Sequence, residues 1–398
     1  MRISTVTIFK QSTAQLNYQS SAFMKISNQI ASGKRVVNPS DDPLAMSKAI
    51  GITQSAALNT QYTDARVSAK NALSQAESVL NSVTEAITAA KTSLVQGLTD
   101  TNSNADRQAL ATQLQGIYET LLGQANAADG NGKYLFGGYQ DNAPPFQDDG
   151  TGNIVYVGDQ GQVQQRVDSA RLMQTTVPGS DIFTSIYGSA GLVARSGNNT
   201  GSVQYEQPLP FDKSDPNYGQ TVNITFSDVA GTKYYSINGG TPQAYTDGDK
   251  ITANGMSIVL KGTPADGDSF QITSGTNSNS DMFKSLKDAI DALNNPVNTD
   301  ADKANLRNTL TSVAAELDSN LDKVLTVRAS LGSKLSELDT IDSVSSNRAL
   351  NYKAEISSLI DLDYDAAISE YTLKQTAISA AQKAFVQTQQ MSLFNYIK

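Results

Sequence analysis

The chain has 398 residues, 39% hydrophobic and 7% aromatic, and a formal net charge of −9. It contains no Cys, His or Trp, which excludes thiol nucleophiles, thiolate and imidazole metal sites and the commonest general base. The acidic balance argues against general binding to nucleic acid or an anionic membrane, and no stretch approaches the roughly 20 apolar residues of a transmembrane helix.

A chain of this length holds two or three domains. The lack of Cys suits a protein that folds outside the cell without disulfides. Its first residues, Met1-Arg2-Ile3-Ser4-Thr5-Val6-Thr7, turn polar with no apolar run of signal-peptide length. Any export is therefore expected to proceed without a cleaved signal peptide. Charge is unevenly spread. Residues 1–48 carry six basic side chains against Asp41 and Asp42, and residues 367–398 carry three against Glu370. Residues 141–275 carry fourteen acids against seven bases. Two like-charged ends gain nothing from mutual attraction, so apolar contact must hold them.

The first helix is expected over residues 1–31. Phe9, Leu16, Phe23 and Ile30 recur every seven residues, with Ile26 beside them, on a surface otherwise made of Gln, Ser, Asn and Thr. Such a helix is marginal alone, because helices in proteins owe most of their stability to packing. Gly33 ends it. A loop follows through Asn38, Asp41 and Asp42, and Pro43 opens the next helix: a side-chain oxygen for the orphan amides, then a residue with no N–H to satisfy. From about 44 to 98 the pattern is one long helix. Positions 69, 73, 76, 80, 83, 87, 90 and 94 are Ala, Leu, Ala, Leu, Val, Ile, Ala and Leu, the alternating three and four spacing of a coiled-coil seam. Another helix is expected over about 104–128.

Residues 131–275 change character. Short alternating segments such as Val222–Phe226, Tyr234–Ile237 and Phe270–Thr273 are separated by turn dipeptides, among them Asn238-Gly239 and Asn254-Gly255, which reads as a β-rich insertion of hairpins. Helix returns over about 281–294 and 300–360. The seam Leu317, Leu321, Val324, Arg328, Leu331, Leu335, Leu338 weakens into Asp342 and Ser345. A last helix, about 364–397, carries Tyr371, Ile378 and Phe385 at sevens, followed by Leu393, Phe394 and Ile397.

The expected fold is therefore mainly α with an inserted β domain, its long N- and C-terminal helices paired antiparallel. Residues 1–43 with 361–398 form a terminal helical assembly domain, 44–140 with 276–360 a coiled-coil domain, and 141–275 an outer β domain joined at two nearby points. The two terminal stripes are either an intramolecular core or a surface filled by neighbouring subunits. The polar character of the helices favours the second. Asp41 and Asp42 as a carboxylate pair for acid–base or metal chemistry have no basic or His partner near in sequence, and capping explains Asp42. Asp361, Asp363 and Asp365 have metal-like spacing but lack the Gly and distant Glu of a calcium loop. No catalytic, cofactor or metal site is expected.

Several segments resemble flagellar axial proteins of bacteria. They are Ser32-Gly33-Lys34-Arg35-Val36 with Pro39-Ser40-Asp41-Asp42-Pro43, then Leu362-Asp363-Tyr364-Asp365-Ala366-Ala367, and the closing Ser392-Leu393-Phe394-Asn395-Tyr396-Ile397. These ends are similar to both flagellins and hook–filament junction proteins. Gly132-Lys133-Tyr134-Leu135-Phe136-Gly137-Gly138-Tyr139, Pro145-Phe146 and Val177-Pro178-Gly179-Ser180-Asp181-Ile182-Phe183 resemble the junction branch. The resemblance implies an extracellular structural subunit, exported unfolded through the flagellar type III channel with a cytoplasmic chaperone. It implies a ring of identical subunits between neighbouring axial proteins, another hook-associated protein and flagellin. It also implies terminal helices that order only on assembly. Flagellin itself, or a secreted coiled-coil adhesin with a ligand-binding β domain, are the alternatives.

Overall fold

The computed structural model describes residues 5–184, 191–275 and 281–394. In chain order, α1 (Thr5–Ser32), α2 (Pro43–Gly97) and α3 (Asn104–Ala125) lead into a β-rich insertion. Its strands are β1 (Phe146–Asp148), β2 (Ile154–Tyr156), β3 (Gln164–Asp168), β4 (Arg171–Gln174), β5 (Leu192–Ser196), β6 (Gln204–Tyr205), β7 (Leu209–Pro210), β8 (Val222–Val229), β9 (Thr232–Ile237), β10 (Gln243–Ala244), β11 (Lys250–Ala253), β12 (Met256–Lys261) and β13 (Ser269–Ser274). A single π-helical turn, Ser180–Thr184, precedes β5, and α4 (Met282–Asn294), α5 (Asp300–Ile360) and α6 (Tyr364–Phe394) close the chain. The fold is mainly helical with an inserted β region. It divides into two compact units, residues 1–64 with 340–398 and residues 65–339. Both long helices, α2 and α5, contribute to each.

Within residues 65–339, every position of the α2 seam from Ala69 to Leu94 is buried, as are Leu317, Val324, Leu331 and Leu338 of α5. Lys70 pairs with Asp339 at 2.6 Å, Arg328 with Glu77 at 2.8 Å, and Lys91 with Asp318. Partners descend along α5 as they ascend along α2, so the helices run antiparallel. These ion pairs are part-exposed and contribute little; alternating Ala and Leu in the seam supplies the burial. Helix starts follow local chemistry. Ser103 and Asp106 form a reciprocal capping box for α3. Asp281 accepts the Lys284 amide at 2.7 Å to cap α4. Thr299 and Asp302 exchange bonds at the start of α5.

In the insertion, a five-stranded antiparallel sheet (β10-β9-β8-β13-β5) and a smaller one (β11-β12-β6, with β7 also on β12) enclose one core, centred on Val222, Ile224, Ile258, Leu260, Phe270 and Ile272. Asn254 and Gly255, both at positive φ, form the two-residue turn between β11 and β12, as the dipeptide predicts.

The insertion is not a separate body joined only at its two ends. Phe136, Phe146 and Phe183, from the three segments that resemble the junction branch, gather around Phe283 of α4. The ring centroids are 5.6 Å apart for Phe136–Phe183, 5.2 Å for Phe146–Phe183 and 5.5 Å for Phe146–Phe283. Tyr118 of α3 meets Phe283 edge-on at 5.9 Å. Gly179 is required here: a Cβ would lie 2.7 Å from the Phe146 ring. Further along, Glu316 of α5, 1% exposed, binds Arg195 of β5 at 2.5 Å and the Ser285 hydroxyl. Asn308 accepts the Tyr205 amide at 3.1 Å and donates to the Val203 carbonyl at 2.8 Å. Both groups are satisfied, so their burial is tolerated. The insertion therefore shares its core with α3, α4 and the first half of α5, where the sequence predicts a peripheral appendage.

Candidate assembly interface

Residues 1–64 with 340–398 hold the sequence-predicted site residues, and two sequence motifs far apart in the chain meet there. α1 ends at Ser32, and Gly33 turns the backbone at φ +69°, the left-handed region that stops helices. A Cβ at Gly33 would lie 3.0 Å from the Tyr364 hydroxyl, so this position needs glycine on two counts. The chain then runs antiparallel to the α5–α6 junction. The Arg35 amide donates to the Ile360 carbonyl at 2.8 Å and the Leu362 amide donates to the Gly33 carbonyl at 3.0 Å, pairing Lys34 with Asp361. The Arg35 guanidinium donates to the Leu359 carbonyl at 2.6 Å, a cation at the C-terminal end of α5. It also reaches Asp42 at 3.3 Å, so that, against the sequence reading, this acid does have a basic partner near in sequence.

The acids of the loop organise it. Asp41 accepts the amides of Asn38 at 3.0 Å and Val37 at 3.2 Å and pairs with Lys25 of α1 at 3.0 Å. Asp42 caps α2 by accepting the Ala45 amide at 3.0 Å, and Pro43 is the first helical residue. The Asn38 amide bond and then Lys25 hold the Asp41 carboxyl below the usual aspartate range. The Ala45 amide and then Arg35 do the same for Asp42. Asp363 is likewise a cap, accepting the amides of Asp365 at 3.1 Å and Ala366 at 3.2 Å at the start of α6. Among the described residues no three His, Cys, Asp or Glu side chains are placed to hold a metal.

A pH dependence follows. Both folded-state carboxyls titrate below their unfolded value of about 3.9. Their stabilisation is therefore complete above that value and is lost as pH falls through the lower folded values. The loop 33–43 is expected to resist proteolysis equally at pH 7 and 5 and to become cleavable below about pH 4. Asp41→Asn with Asp42→Asn should make it cleavable already at pH 7. Unchanged cleavage in the double variant would show that the backbone pairing with 360–362 alone holds the loop.

The two terminal stripes face each other. Phe9 and Phe385 have ring centroids 5.3 Å apart, and Phe23 and Tyr371 4.9 Å. α1 and α6 are therefore antiparallel neighbours, with Leu16, Ile30 and Ile378 half-buried along the same line. Leu393 and Phe394 fall at the end of α6, where side chains lie outside the described residues, and Ile397 lies outside them altogether. The pairing does not make a sealed core. Among the described residues of this unit the buried apolar side chains are Ile26, Val36, Ala45, Ala49 and Ala367. Tyr18, Met24, Leu44, Leu350 and Leu373 are 62–72% exposed. Where α2 and α5 pair here, the buried contacts are polar: Asn59 donates to the Ser345 carbonyl at 3.1 Å and accepts from its hydroxyl at 2.9 Å. The sequence pattern does not reveal the loop-to-junction pairing, because its bonds are mostly backbone bonds between residues more than 300 positions apart.

Two family descriptions match the ends of the chain: the bacterial flagellin N-terminal helical region fits residues 3–141, and the bacterial flagellin C-terminal helical region fits 314–397. Both descriptions leave the middle of the chain uncovered. The relatives do not. Flagellar hook-associated protein 3 of Salmonella typhimurium is 35% identical over 395 residues, 99% of each chain. The protein of that name from Escherichia coli K12 is 34% identical over the full length of both. The chain belongs to the flagellar hook-associated protein 3 family. The crystal structure of FlgL from Xanthomonas campestris aligns with a TM-score of 0.69 at 30% identity, covering 77% of this chain and 99% of that one. The match to these relatives runs through residues 142–313, which the two flagellin descriptions leave uncovered.

Proposed function

We propose that the chain is a structural subunit at the junction between hook and filament of the bacterial flagellum, outside the cell. Its role is mechanical attachment of the filament and support of motility rather than catalysis. The observation that carries this is full-length identity to hook-associated relatives, together with a terminal unit that leaves large apolar side chains exposed on every helix. Patches of that kind on a folded chain mark interaction surfaces. Residues 1–43 and 361–398 are the assembly domain, 44–140 with 276–360 the coiled coil and 141–275 the outer domain. Phe9, Leu16, Phe23, Ile30, Tyr371, Ile378 and Phe385, with Leu393, Phe394 and Ile397 beyond them, line the face that closes when a ring of identical subunits forms against neighbouring axial proteins. These are another hook-associated protein on one side and flagellin on the other. A terminal unit with so little sealed core is cheap to keep unfolded, which fits export through a narrow channel with a cytoplasmic chaperone and no cleaved signal peptide. The role needs no cofactor, nucleic acid or membrane.

The deciding experiment is a deletion strain. It should still build hooks but shed filament subunits into the medium, and the wild-type gene should restore attached filaments. Attached filaments of normal length in the deletion strain would overturn the reading.

A further inference from the structure

The β3–β4 hairpin has a position that neither the coiled coil nor the insertion core explains. Among the described residues β3 and β4 pair only with each other and join neither large sheet. The hairpin grips both long helices instead. Arg171 of β4 makes a two-pronged contact with Glu337 of α5, at 2.6 and 2.8 Å. Arg66 of α2, 1% exposed, donates to the Val167 carbonyl at 2.8 Å. The pairing register of β3 shifts between Arg166 and Asp168, so Val167 sits in a bulge, a device that re-aims a residue out of the ladder. Val167 and Met173 are buried under the hairpin at 0% and 2% exposure.

The place of the grip matters. On one side of Arg66 the α2 seam is Ala69, Leu73 and onward, dry and buried. On the other side the next buried seam position is Asn59, bonded to Ser345. The apolar seam thus gives way to a polar one within about two helical turns of the hairpin. A polar seam opens more easily than an apolar one, because its groups regain hydrogen bonds in water. Without a stop, opening that starts there would run along α2 and α5 into the Ala/Leu seam.

We infer that the β3–β4 hairpin is a clamp that ends the cooperative unit. It fastens α2 to α5 at Arg66 and Glu337, so the terminal unit can open and reclose without unzipping the seam behind it. This rests on the reading that the terminal unit orders on assembly, and the test separates the two.

Amide hydrogen exchange on the full-length monomer should show fast exchange through α1, α6 and the outer parts of α2 and α5, and slow exchange from about Ala69 and Leu338 inward. In Arg171→Gln with Met173→Ala, exchange over 69–80 and 324–338 should rise roughly ten-fold. Exchange over 83–94, in β8 and β13, and in α1 and α6 should stay as before. The charge exchange Arg171→Glu with Glu337→Arg, which keeps the pair and the buried Met173, should restore protection over 69–80. If protection there is unchanged in the first variant, or falls uniformly through β8 and β13, the clamp is wrong. If α1 and α6 exchange as slowly as 83–94 in the wild type, the assembly reading fails instead.

Discussion

Phe385→Ala should leave the melting temperature of the isolated chain nearly unchanged and abolish incorporation at the hook tip. In the isolated chain Phe385 is half-buried and its described ring neighbour is Phe9, itself 45% exposed. An aromatic pair of this kind contributes about 0.5–1.5 kcal/mol beyond its area, and part of that is recovered by hydration in the variant. The unit that contains it has almost no buried apolar side chains, so it adds little to the main unfolding transition. In the assembly the same ring is expected to be covered on its open side as well. Truncating a fully buried Phe costs about 3–5 kcal/mol, a factor of more than a hundred in each subunit's binding. Lys383→Ala, on an exposed position two residues away, should assemble normally. Calorimetry of the monomer and complementation of a deletion strain check both arms. A drop of several degrees in the melting temperature with assembly intact would make the α1–α6 pair intramolecular core and remove these residues from the interface.

Much of the architecture was legible because its signal is long and periodic. The seam from Ala69 to Leu94 repeats over more than three heptads, and all of its positions are buried. Asp42 before Pro43 announces the start of α2, and the carboxylate does accept the Ala45 amide. Turn dipeptides located the β11–β12 hairpin. What periodicity could not show is which polar residue meets which. Ser345 was visible as a weak seam position, but its partner Asn59 lies 286 positions away. The two-residue strands β6, β7 and β10 carry no alternation to read, since alternation needs several residues. The stripes on α1 and α6 were visible as stripes. That they face each other while remaining half-open depends on how little else the unit buries, which is a property of packing rather than of pattern.

The aromatic cluster at the base of the insertion should respond in the opposite way to the terminal helices. Phe283 is 1% exposed and touches Phe146, Phe183 and Tyr118. Phe283→Ala removes a ring from a closed cluster, with a cost of about 3–5 kcal/mol. In a unit of this size that corresponds to a fall of roughly 10 °C in the melting temperature. The same argument bears on replacing residues 141–275 with a Gly/Ser bridge. From the sequence the helices should survive such a replacement. In the structure it strips Phe146 and Phe183 from Phe283, Arg195 from Glu316, and Tyr205 from Asn308. Glu316 then keeps only the Ser285 hydroxyl, and the apolar faces of α4 and α5 that packed on the insertion are left in water, which costs about 25 cal/mol per Å² of exposed apolar surface. The bridged chain should therefore lose the helical signal of α4 and the first half of α5. The apolar seam of α2 with the second half of α5 has its own burial and should persist. Circular dichroism on the bridged chain measures the helix content directly. Retention of the full helical content of 281–320 would show that α4 and α5 hold themselves on α2 and α3 alone, and that the insertion is an appendage after all.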